Sequence, residues 1–247
     1  MLIAAAVCPH PPLLVPEIAG EAASELDALR AAADRAVLRV CARRAGGSVE
    51  DPPRRIVVVG GGAETRSFGA SASGSLRPYG LDLAIGSGAP ELPLSLTLGR
   101  WLLERASGAC VILGDGRLVM PSLSEVSYQS VALDASAQEC LELGRALAAD
   151  DVALLVMGDG SACRDEKAPG YLDERAVGYD ARVAAALKSA DASALAALDP
   201  VESRELMAAG RAAWQVLAGA AAGRPLTGEL LADEAPYGVG YFVASWT

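Results

Sequence analysis

Histidine is almost missing from this chain: a single imidazole, His10, serves all 247 residues. A metal site built from two or three imidazoles is therefore excluded within one chain. Aromatic residues are scarce at 4%, which leaves no stacking platform for nucleic acid. Positive charge is short as well. Against 31 Asp and Glu stand 21 Lys and Arg, a net charge of −10, the wrong sign for nucleic acid or an anionic membrane surface. No apolar run reaches the roughly 18 residues a membrane span requires without meeting a charge or a breaker. Met1–Val7 is apolar but has no basic flank and runs at once into Pro and His, so no signal peptide is expected and the expected location is cytoplasmic. The five cysteines (Cys8, Cys41, Cys110, Cys140, Cys163) are odd in number, widely spread and never paired as CxxC, a pattern that reads as reduced, buried thiols.

What is present is apolar and Ala-rich. Hydrophobic residues make up 52%, enough for a sizeable core. Leu2–Val7 and 55–59 read as buried strands, the second running into Gly60-Gly61-Gly62. Further strands are expected at 109–113, 126–133 and 152–157, with a short one near 81–85 inside a Ser- and Gly-rich loop, and a closing strand over 237–246. Helical spacing covers 21–44, 93–106, 135–149, 174–188, 191–198 and 201–222. Strands alternating with helices predict an α/β fold, one domain over residues 1–247 with a mostly parallel or mixed central sheet flanked by helices. Ala-rich helices pack closely enough to permit a homo-oligomer.

Chemistry concentrates where strands end. His10 sits in Cys8-Pro9-His10-Pro11-Pro12, directly after the first strand, at the rim where open α/β sheets bind ligands. Gly60–Gly62 admits a phosphate or a tight turn. Two Gly-Asp-Gly tripeptides follow expected strands, which places Asp115 and Asp159 at the same rim, as cation ligands, base-orienting groups or loop caps. Ser161 is a nucleophile only with a base in reach, and His10 is the sole imidazole to serve. Glu234, before Pro236, is either a rim carboxylate or a solvated turn residue, and Tyr237 and Tyr241 fall two apart on the closing strand.

The run Pro-His-Pro-Pro-Leu-Leu-Val-Pro-Glu (Pro9–Glu17) resembles the opening of the class III extradiol ring-cleavage dioxygenases of the catalytic-subunit-B type and of the related Memo-like proteins. Gly158-Asp159-Gly160-Ser161, the loop Ala168–Tyr171 leading to Tyr179-Asp180, and Pro236–Tyr241 follow in the same order, so the resemblance spans nearly the whole chain. It implies the subunit-B-like fold and a site in which Fe(II) is held by two histidines and a glutamate, beside an acid/base histidine. On that resemblance His10 matches the first ligand and Glu234 is the counterpart of the glutamate. Gly60–Gly62 stand where the second histidine is expected, and Ala162 where the acid/base histidine is expected. Loss of a ligand costs more than the roughly 10- to 100-fold of an outer partner, and a missing acid/base group costs about 10²–10⁴-fold in rate. The resemblance therefore implies a divergent, iron-free member with a cleft for a small aromatic or other small molecule. No cofactor is expected, and Fe(II) or another divalent cation only if ring cleavage survives. Two alternatives stand beside it. One is rebuilt hydrolytic or proton-transfer chemistry from His10, Asp159, Ser161 and Tyr171, with Glu234, Cys8 or Cys163. The other is an atypical metal-dependent dioxygenase.

Overall fold

Six consecutive apolar residues, Val152–Met157, are buried on both faces, the signature of a strand in the middle of a covered sheet. In the computed structural model, which describes residues 1–41, 43–44, 55–108, 112–113, 116–119 and 126–247, this strand lies at the centre of a seven-stranded mixed sheet. The sheet strands in chain order are β1 (Leu2–Cys8), β2 (Ile56–Gly62), β3 (Arg66–Phe68), β4 (Val126–Ala132), β5 (Val152–Met157), β6 (Gly228–Glu234) and β7 (Tyr241–Trp246). Their order across the sheet is β6-β7-β1-β5-β2-β4-β3. The four inner strands β1, β5, β2 and β4 run parallel, and antiparallel strands finish both sides.

Period-two alternation sorts the core into two layers. Ala6, Cys8, Val58, Leu155 and Met157 pack under α1 (Asp27–Cys41) and α2 (Leu94–Gly108). Val7, Val57, Val59, Leu154 and Val156 pack under α3 (Ala137–Leu147), α4 (Arg175–Ser189) and α5 (Arg211–Ala221). Each such Val or Leu, fully buried, contributes about 1.5–3 kcal/mol relative to exposure. The α3–α5 crossing is close because a Cβ on Gly144 would run into the Val216 carbonyl and one on Gly219 into that of Leu141. Ser136 opens α3 with a capping box: its hydroxyl accepts from the Glu139 N–H, and the Glu139 carboxylate accepts from the Ser136 N–H.

Four expectations change. Gly60–Gly62 belong to β2 and pair with Ser130–Ala132, so they form no strand-to-loop turn and no phosphate loop. Cβ atoms on Gly60 and Gly61 would stand 2.5 Å from the Ser95 hydroxyl and the Leu133 side chain, so close packing selects glycine there. Ile112–Leu113 pairs with Gly116–Arg117 in a small sheet apart from the main one, while Asp115, Cys110 and the Cys41 side chain lie outside the described residues. The helix expected over 201–222 is two, Pro200–Glu205 and α5, separated by Met207 in a left-handed conformation (φ 54°). The closing strand begins only at Tyr241. Glu234 ends β6 instead of opening β7, and Tyr237 lies in the turn between them, donating its hydroxyl to Glu25.

Candidate functional site

Register aligns the ends of the parallel strands in one row. Cys8 pairs with Met157, Met157 with Gly60, and Gly60 with Ser130. From the ends of β1 and β2 the chain crosses to the α1/α2 face, whereas from β5 it crosses to the face of α4 and α5. The carboxyl end of β5 is therefore flanked on both sides by connections that diverge, the geometry that opens a crevice in an α/β sheet.

Two side chains meet there. His10, only 8% exposed, is fixed by Pro9, Pro11 and Pro12, whose rings limit the backbone on either side. Its backbone N–H donates to Asp159 Oδ1 at 2.7 Å. Its Nδ1 lies 3.6 Å from the same oxygen, too far for a hydrogen bond, and is buried with no partner. Asp159 is itself pinned through its backbone: its carbonyl accepts from the Gly210 N–H at 2.8 Å, and the Gly158 N–H donates to Cys8 at 2.9 Å. Burial pushes the Asp159 carboxyl above the usual carboxylate range, opposed by the His10 imidazole and its amide. Tyr241, at the start of β7 and buried, is raised by burial first and then by the Asp159 carboxylate. Behind Gly158 the Trp214 indole N–H is also buried without an acceptor, 2.9 Å from where a Cβ at 158 would stand.

The other sequence candidates do not join this pair. Ser161 is fully buried, and its hydroxyl donates to Asp180 Oδ2 at 2.8 Å. Asp180 also accepts from the Ser161 N–H (2.8 Å) and Arg164 (2.9 Å), so Ser161 is bound into a structural clasp with no opening for a substrate. Tyr171 is 63% exposed at a left-handed position (φ 62°) of its loop. Cys8 is buried in the core, and the buried Cys163 thiol lies 3.5 Å from the Leu206 carbonyl. Glu234 sits on the edge strand β6, opposite Tyr241 in register.

These donors do not suit a facial Fe(II) site. One imidazole and one adjacent carboxylate are present at this rim, two protein donors where a facial triad needs three. Among the described residues no three His, Cys, Asp or Glu gather where one cation would be held.

Sequence reasoning missed Trp214, Arg211 and Met207. Arg211 carried a signal, since it is the only charge in the apolar helix α5. Met207 carried none, because nothing in a Glu-Leu-Met-Ala-Ala run announces a left-handed residue.

No family model matches this chain, and no curated protein sequence matches it. Among solved structures, the crystal structure of uncharacterized protein JW3007 from Escherichia coli K12 is similar to it, with a TM-score of 0.51 and 15% sequence identity over 98% of each chain. At that identity the likeness speaks to the fold alone. No helix among the described residues is long and apolar enough to cross a membrane.

Proposed function

We propose that the chain is a divergent, iron-free relative of the extradiol dioxygenases that binds a small molecule, aromatic or otherwise hydroxyl-bearing, at the carboxyl end of β5. The observation that carries this reading is the His10 Nδ1, buried and unpartnered 3.6 Å from Asp159. A buried polar atom without a partner costs about 1–3 kcal/mol, which a bound ligand would offset. A small movement that closes the Nδ1–Oδ1 gap would fix the tautomer and leave Nε2 as an acceptor for a ligand hydroxyl. The raised Asp159 carboxyl fits the same role, as groups so perturbed gather at functional sites. Binding is favoured over rebuilt hydrolysis because Ser161 is committed to Asp180 and Tyr171 stands in solvent.

Having one histidine makes the test clean, since a ¹⁵N-labelled protein shows a single imidazole. Titration with catechol and with phenol is expected to move the His10 ring nitrogens saturably at millimolar ligand, and calorimetry on His10→Gln to show the binding lost. Unmoved ring nitrogens overturn the reading. So does ring-opened product from catechol after anaerobic loading with Fe(II) and admission of air.

A further inference from the structure

We infer that a second site on the same rim, beside the His10–Asp159 pair, takes a small apolar carboxylate. A cavity of about 380 Å³ opens between the end of β4 and the turn joining Pro200–Glu205 to α5. Its walls include Leu133, Met207 and Ala212, and three charged side chains, Asp134, Arg204 and Arg211, face it. It contains neither His10 nor Asp159, so it stands or falls apart from the reading above. The two sites are neighbours, because Ala209 of the cavity wall precedes Gly210, whose N–H holds the Asp159 carbonyl.

Charge points to the ligand. Arg211 is 3% exposed, and its guanidinium donates to the carbonyls of Leu133 and Ala135 and to Gln215 Oε1, with no carboxylate in an ion pair among the described residues. A buried cation held only by neutral dipoles keeps much of its desolvation cost uncompensated. Arg204 and Asp134 are exposed and likewise form no ion pair among the described residues. The cavity thus carries two guanidinium groups against one carboxylate, a local excess of positive charge in a chain of net charge −10. A guanidinium matches a carboxylate with two parallel hydrogen bonds.

Shape supplies the rest. Leu133 and Met207, 54% and 51% exposed, give the cavity an apolar wall open to a ligand. Met207 is held there on a strained backbone, the kind of distortion that persists where function requires it. An engineered cavity of about 150 Å³ accepts benzene, so this one has room for a ring with a short carboxylate arm.

The test uses 3-phenylpropanoate and its uncharged amide, measured by calorimetry on the full chain. The carboxylate is expected to bind about tenfold more tightly than the amide, roughly 1.4 kcal/mol. Arg204→Gln, whose side chain makes no hydrogen bond or ion pair among the described residues, should remove most of that preference and leave the melting temperature unchanged. His10→Gln should leave both affinities as they were. Equal affinities, no binding at millimolar concentration, or an Arg204→Gln protein that keeps the whole preference each overturn the inference.

Discussion

Two aspartates serve the Gly158–Ser161 loop and are treated oppositely. Asp180, 1% exposed on α4, accepts three hydrogen bonds, two from Ser161 and one from Arg164. Space is cleared around it, since Cβ atoms on Gly160 and Gly240 would stand 2.8 and 2.5 Å from its oxygens. Asp159, two residues before Ser161, accepts one, from the His10 amide, and faces an imidazole nitrogen that bonds nothing. Buried carboxylates built for architecture are saturated, because each missing donor costs stability. Asp159, with a single protein donor, fits the ligand-binding role proposed above. The contrast separates the Asp180 clasp from the proposed site at Asp159.

Breaking the clasp should have the largest effect. Asp180→Ala strands Arg164 and the Ser161 N–H and hydroxyl, and removing one partner of a buried pair costs about 3–5 kcal/mol. For a chain of this size that lowers the melting temperature by roughly 10 °C or more, measured by thermal unfolding followed by circular dichroism. Ser161→Ala removes a single hydrogen bond to a charged acceptor, about 1.5–3 kcal/mol, and should lower the melting temperature by several degrees. The His10 ¹⁵N titration should not change. A Ser161→Ala protein that folds well but no longer binds catechol would return Ser161 to the site.

Asp159→Asn should act in the opposite direction. The Asn oxygen still accepts the His10 N–H, while the buried charge disappears. Because the folded-state pKa of Asp159 is raised, chiefly by burial, the wild type binds more protons folded than unfolded, and its stability falls as pH rises through that raised value. The variant is spared this loss. It should melt at a higher temperature than wild type at pH 7, and the advantage should vanish below the ordinary value of 3.8. An Asn variant less stable than wild type at neutral pH would show that Asp159 is bound into the fold as Asp180 is.

Legibility followed how local the cause was. Val152–Met157 was readable to the residue because an apolar run bounded by Asp151 and Gly158 has one reading, and α3 was readable from helical spacing over 135–149, two residues long at each end. His10 and Asp159 were placed at one rim by strand logic alone, and they meet there. Strand β6 was hidden, since Gly228–Glu234 is half polar and exists by pairing with β7, a long-range cause that no local pattern carries. Ser161 misled for a related reason. A hydroxyl beside Asp159 looks catalytic, but its fate is set by Asp180, nineteen residues away on α4. The cavity was invisible, because its walls come from three segments and its key strain sits at Met207.

The smallest effects test that strain. Met207 (φ 54°) and Ala190 (φ 51°) both occupy the left-handed region, where glycine alone is free of a Cβ penalty. Ala190 ends α4, its N–H bonded to the Ala186 carbonyl, so Ala190→Gly acts as an ordinary helix stop and should gain about 0.5–1 kcal/mol. Met207→Gly should gain a similar amount and raise the melting temperature by a degree or more. It differs in what it gives up, because the Met207 side chain walls the cavity and Ala190 does not. The affinity for 3-phenylpropanoate should therefore fall several-fold in Met207→Gly and stay constant in Ala190→Gly. Equal stabilisation with equal affinities would mean that the two strained residues are alike, and that the backbone at 207 is an architectural stop between two helices with no bearing on the cavity.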